Sequence, residues 1–254
     1  MNWRGLLVSV RDAAEAAEAI DGGAAIIDVK EPRHGPLGAA EPEAIAAVAR
    51  MVGTRRPWTM ACGELGEVLE GEPNAVASAI GRRLDRMLAL LEGSAVPPAA
   101  VKIGLAGAAG TDWQRRLLTV FQLLPAGSDR VAVAYADWER AGAPSPAEVI
   151  AAAAGLNCSV LLLDTFDKAA GGLFACCPPE MPAAWVMAAR AARLQVAVAG
   201  RITQATIPAA WALRPDVVAL RSAVCFNGRD GVVQAGLVRS AVSLSNVYTE
   251  STRD

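Results

Sequence analysis

A chain of 254 residues, 53% hydrophobic and 20% charged with a formal net charge of −2, is long enough for one large α/β barrel or two ordinary domains, and it carries no basic footprint for nucleic acid. Mean hydropathy is +0.30. The longest uncharged run, Val149 to Leu163, nevertheless has only 15 residues and contains Gly155 and Asn157, short of the ~20 apolar residues of a membrane span.

In chain order, Met1-Asn2-Trp3-Arg4 leads into a short apolar run without a full signal-peptide core or a small-residue cleavage site, so no export signal is read and a cytoplasmic protein is expected. That run, Gly5–Val10, is the first predicted strand. Asp12 then marks the start of a helix over Ala13–Ile20, which Asp21-Gly22-Gly23 stops. The second strand is Ala25–Val29, followed by Glu41-Pro42 ahead of a helix over Glu43–Met51. Strands are next predicted at Trp58–Cys62 and Ala100–Ile103, and Thr111-Asp112 opens a helix over Trp113–Leu124. Four more strands follow at Arg130–Tyr135, Cys158–Asp164, Leu194–Ala199 and Asp216–Leu220. Most are four to seven residues long and rich in Val, Ile and Leu, as strands buried on both faces should be.

Eight strand-then-helix units without a Pro/Ser-rich linker match a single-domain (β/α)8 TIM barrel over residues 1–245, with a polar and frayed tail at 246–254. A doubly wound open sheet is the competing architecture. It would carry G-x-G-x-x-G after the first strand, where Ser9-Val10-Arg11-Asp12 has no glycine, and the spacing in Gly104-Leu105-Ala106-Gly107-Ala108-Ala109-Gly110 does not fit that fingerprint. No nicotinamide, flavin or other cofactor is expected. The five cysteines show no C-x-x-C pair and accompany a single histidine, His34, which argues for free thiols and against a zinc site. The Cys176-Cys177 pair reads as two small apolar loop residues, and His34 as an ordinary exposed loop residue.

The 24 basic residues divide into 21 arginines and three lysines. Lys30 follows the second predicted strand, Lys102 lies in the fourth, and Lys168 comes just after the sixth. All three sit at C-terminal strand ends, the face where barrels gather catalytic groups. A chain that meets its surface needs with arginine has little use for lysine as a generic charge. Lysine differs in being able to lose its proton and attack a carbonyl. Mutual repulsion and desolvation in one mouth lower such pKa values, leaving one amine neutral as a Schiff-base nucleophile. Asp28, two residues before Lys30 and therefore on the same face, and Asp164, at the end of the sixth strand, complete the candidate site. A phosphate is expected at the ends of the last two strands, where Gly200, Arg221 and Ser222 are the candidate contacts, although Arg221 reads almost as well as a structural ion pair.

The segments Ile27-Asp28-Val29-Lys30-Glu31-Pro32 with Gly35, Leu37, Gly38 and Ala39, Val101-Lys102-Ile103-Gly104, Leu163-Asp164-Thr165 with Lys168, and Arg221-Ser222-Ala223-Val224-Cys225 together resemble the (5-formylfuran-3-yl)methyl phosphate synthase family, from the first strand to the last. The resemblance implies a barrel lyase related in mechanism to class I aldolases, making the furan precursor of methanofuran from two molecules of glyceraldehyde 3-phosphate. It implies that Lys30 forms the Schiff base, that Lys102 accepts a proton, and that Asp28, Asp164 and Lys168 support the chemistry. The chain differs from the family pattern at His34, Pro36 and Ser222, and has no further lysine after Lys168. Its expected partner is a small phosphorylated aldehyde, and a homo-oligomer is compatible with the sequence. Another Schiff-base aldolase, a phosphosugar isomerase and a non-catalytic barrel scaffold are the alternatives.

Overall fold

In a computed structural model that describes residues 3–68, 73–91 and 96–250, eight parallel strands close into a barrel in sequence order. They are β1 (Gly5–Val10), β2 (Ile26–Val29), β3 (Trp58–Glu64), β4 (Ala100–Gly104), β5 (Asp129–Tyr135), β6 (Val160–Asp164), β7 (Gln195–Val198) and β8 (Val217–Leu220). β8 pairs back onto β1 through Gly5↔Val217 and Val8↔Leu220, which closes the ring and leaves no free sheet edge. Each predicted strand is present, with no end displaced by more than two residues. Ala25, expected inside β2, lies just outside it, although its N–H still donates to the Leu6 carbonyl.

The helices form where local chemistry favours them. Asp12 caps Ala13–Asp21 by accepting from the Glu15 N–H, and Pro42 starts Pro42–Val52 at the first helical position, where a missing N–H is tolerated. The helix expected over Trp113–Leu124 ends at Phe121, with Gln122 as its C-cap. The final helix spans Ala235–Glu250, so the residues up to Glu250 that were expected in a frayed tail are helical, while 251–254 lie outside the described residues. Val238 and Ala241 bury one face of this helix against the barrel, and that burial outweighs the polar composition of its end. Among the described residues no helix is long and apolar enough to cross a membrane.

Side chains pointing outward from the strands pack under the helices, whereas those pointing inward fill the lumen. Trp3 closes the bottom, its indole N–H donating to Asp129 at 3.0 Å. Above it small residues, among them Ala100, Ala197 and Ala219, leave a narrow channel of about 40 Å³ that rises toward the C-terminal mouth. This channel brings charged groups from distant parts of the chain within reach of one another.

Candidate active site

The register places polar side chains in one row. Ser9 stands beside Asp28, and Asp28 beside Thr59, so all three face the lumen near its top. Asp28 is 1% exposed and accepts from the Ser9 hydroxyl at 3.1 Å, from the Thr59 hydroxyl at 2.7 Å and from the Lys102 ammonium on β4. Burial alone would raise the Asp28 carboxyl, but Lys102, Lys30 and the hydroxyl donors outweigh it and hold the group below its ordinary value.

Lys30 lies one residue past β2, yet its N–H donates to the Val10 carbonyl at 3.0 Å. The strand alternation therefore persists, and Lys30 enters the lumen on the same side as Asp28. The following loop folds back over it. Glu31 N–H donates to the Gly38 carbonyl at 2.9 Å, a close return that only glycine permits, since a Cβ on residue 38 would overlap the Glu31 carbonyl. Pro36 and Leu37 thereby roof the ammonium, which donates to the Pro36 carbonyl at 3.2 Å. Lys30 is 8% exposed and forms no ion pair among the described residues. Burial lowers its pKa to about 8, with Lys168 and Lys102 adding repulsion and Asp164 and Asp28 opposing.

Across the mouth, Lys168 donates to Asp164 Oδ1 at 2.7 Å, to the Thr165 hydroxyl at 3.2 Å and to the Thr165 carbonyl. Asp164 Oδ1 also accepts from the Thr165 N–H at 2.7 Å, and Oδ2 has no donor among the described residues. The Asp164 carboxyl stays below its ordinary value because Lys168 and Lys30 overcome the upward effect of burial. Two cation–carboxylate pairs, Lys102–Asp28 and Lys168–Asp164, thus flank a single unpaired buried amine. Such an arrangement can hold a carbonyl compound between a nucleophile and two sets of proton donors and acceptors.

Beside the lysines is a second pocket at the ends of β7 and β8, lined by Gly200, Arg201, Ser222 and Arg229 together with Lys30 and Lys168. The backbone N–H groups of Gly200, Arg201 and Ser222 have no protein acceptor among the described residues. Gly200 has a φ of +102° and packs against Thr165 and Leu173, where a Cβ would sit 3.0 Å and 3.1 Å from their side chains. Gly200 and Ser222 therefore stand where the sequence placed them.

Arg221 lines the same pocket, and it forms the structural ion pair that the sequence offered as the alternative to a phosphate contact. Its guanidinium donates to both oxygens of Glu15, to the carbonyls of Ser9 (3.0 Å), Gly231 (2.8 Å) and Arg229 (3.1 Å), and so has every donor engaged. Glu15 is fully buried on the first helix and also takes the Arg11 N–H at 2.8 Å and the Arg11 guanidinium at 2.9 Å. The pair is a strut tying β8 to the first helix at the wall of the pocket, and the arginines there with donors still open are Arg201 and Arg229, which sequence reasoning did not single out. Ser9 and Thr59 were also missed. Their signal was a hydroxyl residue at an inward position of an otherwise apolar strand.

Other candidates fall away from the site. The His34 Nδ1–H donates to the Ala39 carbonyl at 3.1 Å, and the residue stands exposed. The five cysteines are free, and burial pushes Cys177 up to about 12, which makes it a poor nucleophile. Among the described residues no three His, Cys, Asp or Glu side chains gather as metal ligands.

Residues 6–242 match the family model described as 4-HFC-P synthase. The chain is 33% identical over 243 residues to the (5-formylfuran-3-yl)methyl phosphate synthase of Methanopyrus kandleri, covering 92% of this chain and 95% of that protein. It is 34% identical over 227 residues to the protein of the same name from Methanothermobacter thermautotrophicus, covering 88% and 90%. Among solved structures, 3-hexulose-6-phosphate synthase from Salmonella typhimurium superposes with a TM-score of 0.60 at 17% identity, covering 96% of this chain and 99% of that one. Phosphoribosyl anthranilate isomerase from Thermus thermophilus gives 0.57 at 16%, covering 95% and 98%. At those identities the structures testify to the fold alone.

Proposed function

Since the chain belongs to the 4-HFC-P synthase family, we propose that it makes (5-formylfuran-3-yl)methyl phosphate from two molecules of glyceraldehyde 3-phosphate through a Schiff base on Lys30, as a lyase in the biosynthesis of a methanofuran-type carrier. The observation that carries this reading is the burial of Lys30 without a carboxylate partner, between two lysines that each have one.

The neutral Lys30 amine adds to the carbonyl of one triose phosphate, and loss of water gives the iminium. A proton then leaves the adjacent carbon for Lys102, which accepts it as the free amine once Asp28 has taken its ammonium proton, and the resulting enamine attacks the aldehyde carbon of the second molecule. Asp164 and Lys168 are placed to carry protons to and from the oxygens on the other side. Elimination of one orthophosphate, ring closure and dehydration yield the furan, and hydrolysis of the imine returns Lys30. Two triose phosphates thus become one furan aldehyde phosphate, one orthophosphate and two waters. The pocket formed by Gly200, Arg201, Ser222 and Arg229 holds the phosphate of the Lys30-bound molecule through unpaired backbone N–H groups and guanidinium charge.

The test is to incubate the protein with glyceraldehyde 3-phosphate and borohydride and map the adduct by mass spectrometry, while following orthophosphate release and furan absorbance without reductant. An adduct on Lys30 with both products is expected. No adduct, or one on the N-terminus alone, refutes the Schiff base, and an adduct without the furan chromophore favours a general aldolase.

A further inference from the structure

A third pocket opens on the outer rim of the barrel mouth, with a volume of about 400 Å³, in the size range of small-molecule sites. Its walls come from the loop after β2 (Arg33), the segment after β5 (Arg140), the segment after β6 (Phe166, Asp167 and Lys168) and the loop after β8 (Arg229). Four cations therefore face one carboxylate, in a chain whose net charge is −2. Asp167 does not neutralise them. One of its oxygens accepts the N–H groups of Ala169 at 2.9 Å and Ala170 at 3.2 Å, and the other lies 3.5 Å from an exposed Arg140, a weak contact in water.

The arginine donors there are largely unused. The Arg33 side chain has no acceptor among the described residues. Arg229 donates only through Nη2, to the carbonyls of Pro32 at 3.2 Å and Gly35 at 3.1 Å, leaving Nε and Nη1 open. It is half-buried, and burial, with repulsion from Arg221 and Arg201, lowers its pKa against the pull of Asp164 and Asp230. Like charges converging on a cavity with open donors call for an anion, and guanidinium forks match the oxygens of a phosphate.

Lys168 and Arg229 line both this outer pocket and the one at the ends of β7 and β8. The two cavities therefore share a cationic wall, which lets two phosphate dianions lie close together with positive charge between them. We propose that the outer pocket is the subsite for the phosphate of the second triose phosphate, bound by Arg33, Arg140 and Arg229. This assignment rests on the two-substrate reading above and extends it: the molecule joined to Lys30 keeps its phosphate inside, and the attacked aldehyde is delivered from the rim.

The test uses glycerol 3-phosphate, which has a triose skeleton and a phosphate but no carbonyl. Calorimetric titration at low salt is expected to give two sites per chain in the parent and one in the Arg33→Ala/Arg140→Ala double variant. Both replaced side chains are exposed, so the thermal midpoint should stay within a few degrees. In the same variant, borohydride trapping of the first triose phosphate should keep its half-saturating concentration within about twofold, while furan formation should need about tenfold more substrate or worse. One site in the parent, two sites in the variant, or trapping weakened as much as turnover would overturn the proposal. If the parent forms no adduct but the variant still falls from two sites to one, the Schiff-base reading fails and the rim pocket stands as a phosphate site.

Discussion

Replacing Asp164 by Asn removes the carboxylate that does most among the charged groups to hold a proton on Lys30, and it also leaves the Lys168 ammonium unneutralised a short distance away. Both changes act in the same direction. With Lys30 at about 8 rather than 10.5, roughly a tenth of it is the free amine at pH 7, against about one part in three thousand for an ordinary lysine. Trapping by borohydride should therefore rise about tenfold per pH unit between 6 and 7 and level off above 9. In Asp164→Asn the midpoint should fall by about one unit or more, so that half of Lys30 is neutral at pH 7 and trapping there rises about fivefold. Turnover should fall in the same variant, because the carboxylate that handles protons opposite Lys30 is gone. The assay is the initial rate of adduct formation by mass spectrometry from pH 5.5 to 10, with Lys30→Arg as the blank. An unchanged or higher midpoint in Asp164→Asn would refute the electrostatic account of how Lys30 is activated.

Lys30→Met is expected to stabilise the fold at pH 7. A lysine lowered from 10.5 to about 8 binds its proton less tightly when folded, a penalty of about 3 kcal/mol that is fully present below pH 8 and relieved as pH rises to 10.5. Melting should shift up by about 6–12 °C at pH 7 and by little at pH 10.5, and an equal gain at both would rule out charge burial as the cause. Arg221→Met should cost about 3–5 kcal/mol in urea denaturation, because it strips a buried carboxylate of its main partner. Glu15→Gln in the same background should recover part of that loss, and a purely additive double variant would argue against the strut. In Gly104→Ala the new Cβ would overlap the Glu64 carboxylate, which accepts the Tyr135 hydroxyl at 2.6 Å and the Ala106 N–H at 3.0 Å. A loss of about 2–4 kcal/mol is expected. Gly81→Ala serves as its control, since its Cβ would meet only Leu123 at 3.4 Å and the residue lies in a helix, so this variant should be neutral or slightly stabilising.

Periodicity determined much of this protein by itself. Runs of Val, Ile and Leu closed by charged or small residues located all eight strands, because a strand buried on both faces must be apolar throughout. Three lysines among 21 arginines marked the even strand ends, because only lysine offers a deprotonatable amine. What the sequence did not contain was pairing between distant side chains. Lys168 reaches Asp164 within one four-residue step of chain, but that Lys102 takes Asp28 and so leaves Lys30 alone follows from register and barrel closure. That Arg221 is consumed by Glu15 follows from a contact across 206 residues of chain. The final helix shows the same limit, since its polar end is carried by an apolar face that finds the barrel wall only after folding. Local sequence set which residues form strands and which chemistry they carry. Which charges are neutralised, and which one is left to react, depended on the low-dielectric mouth that exists only once the ring is closed.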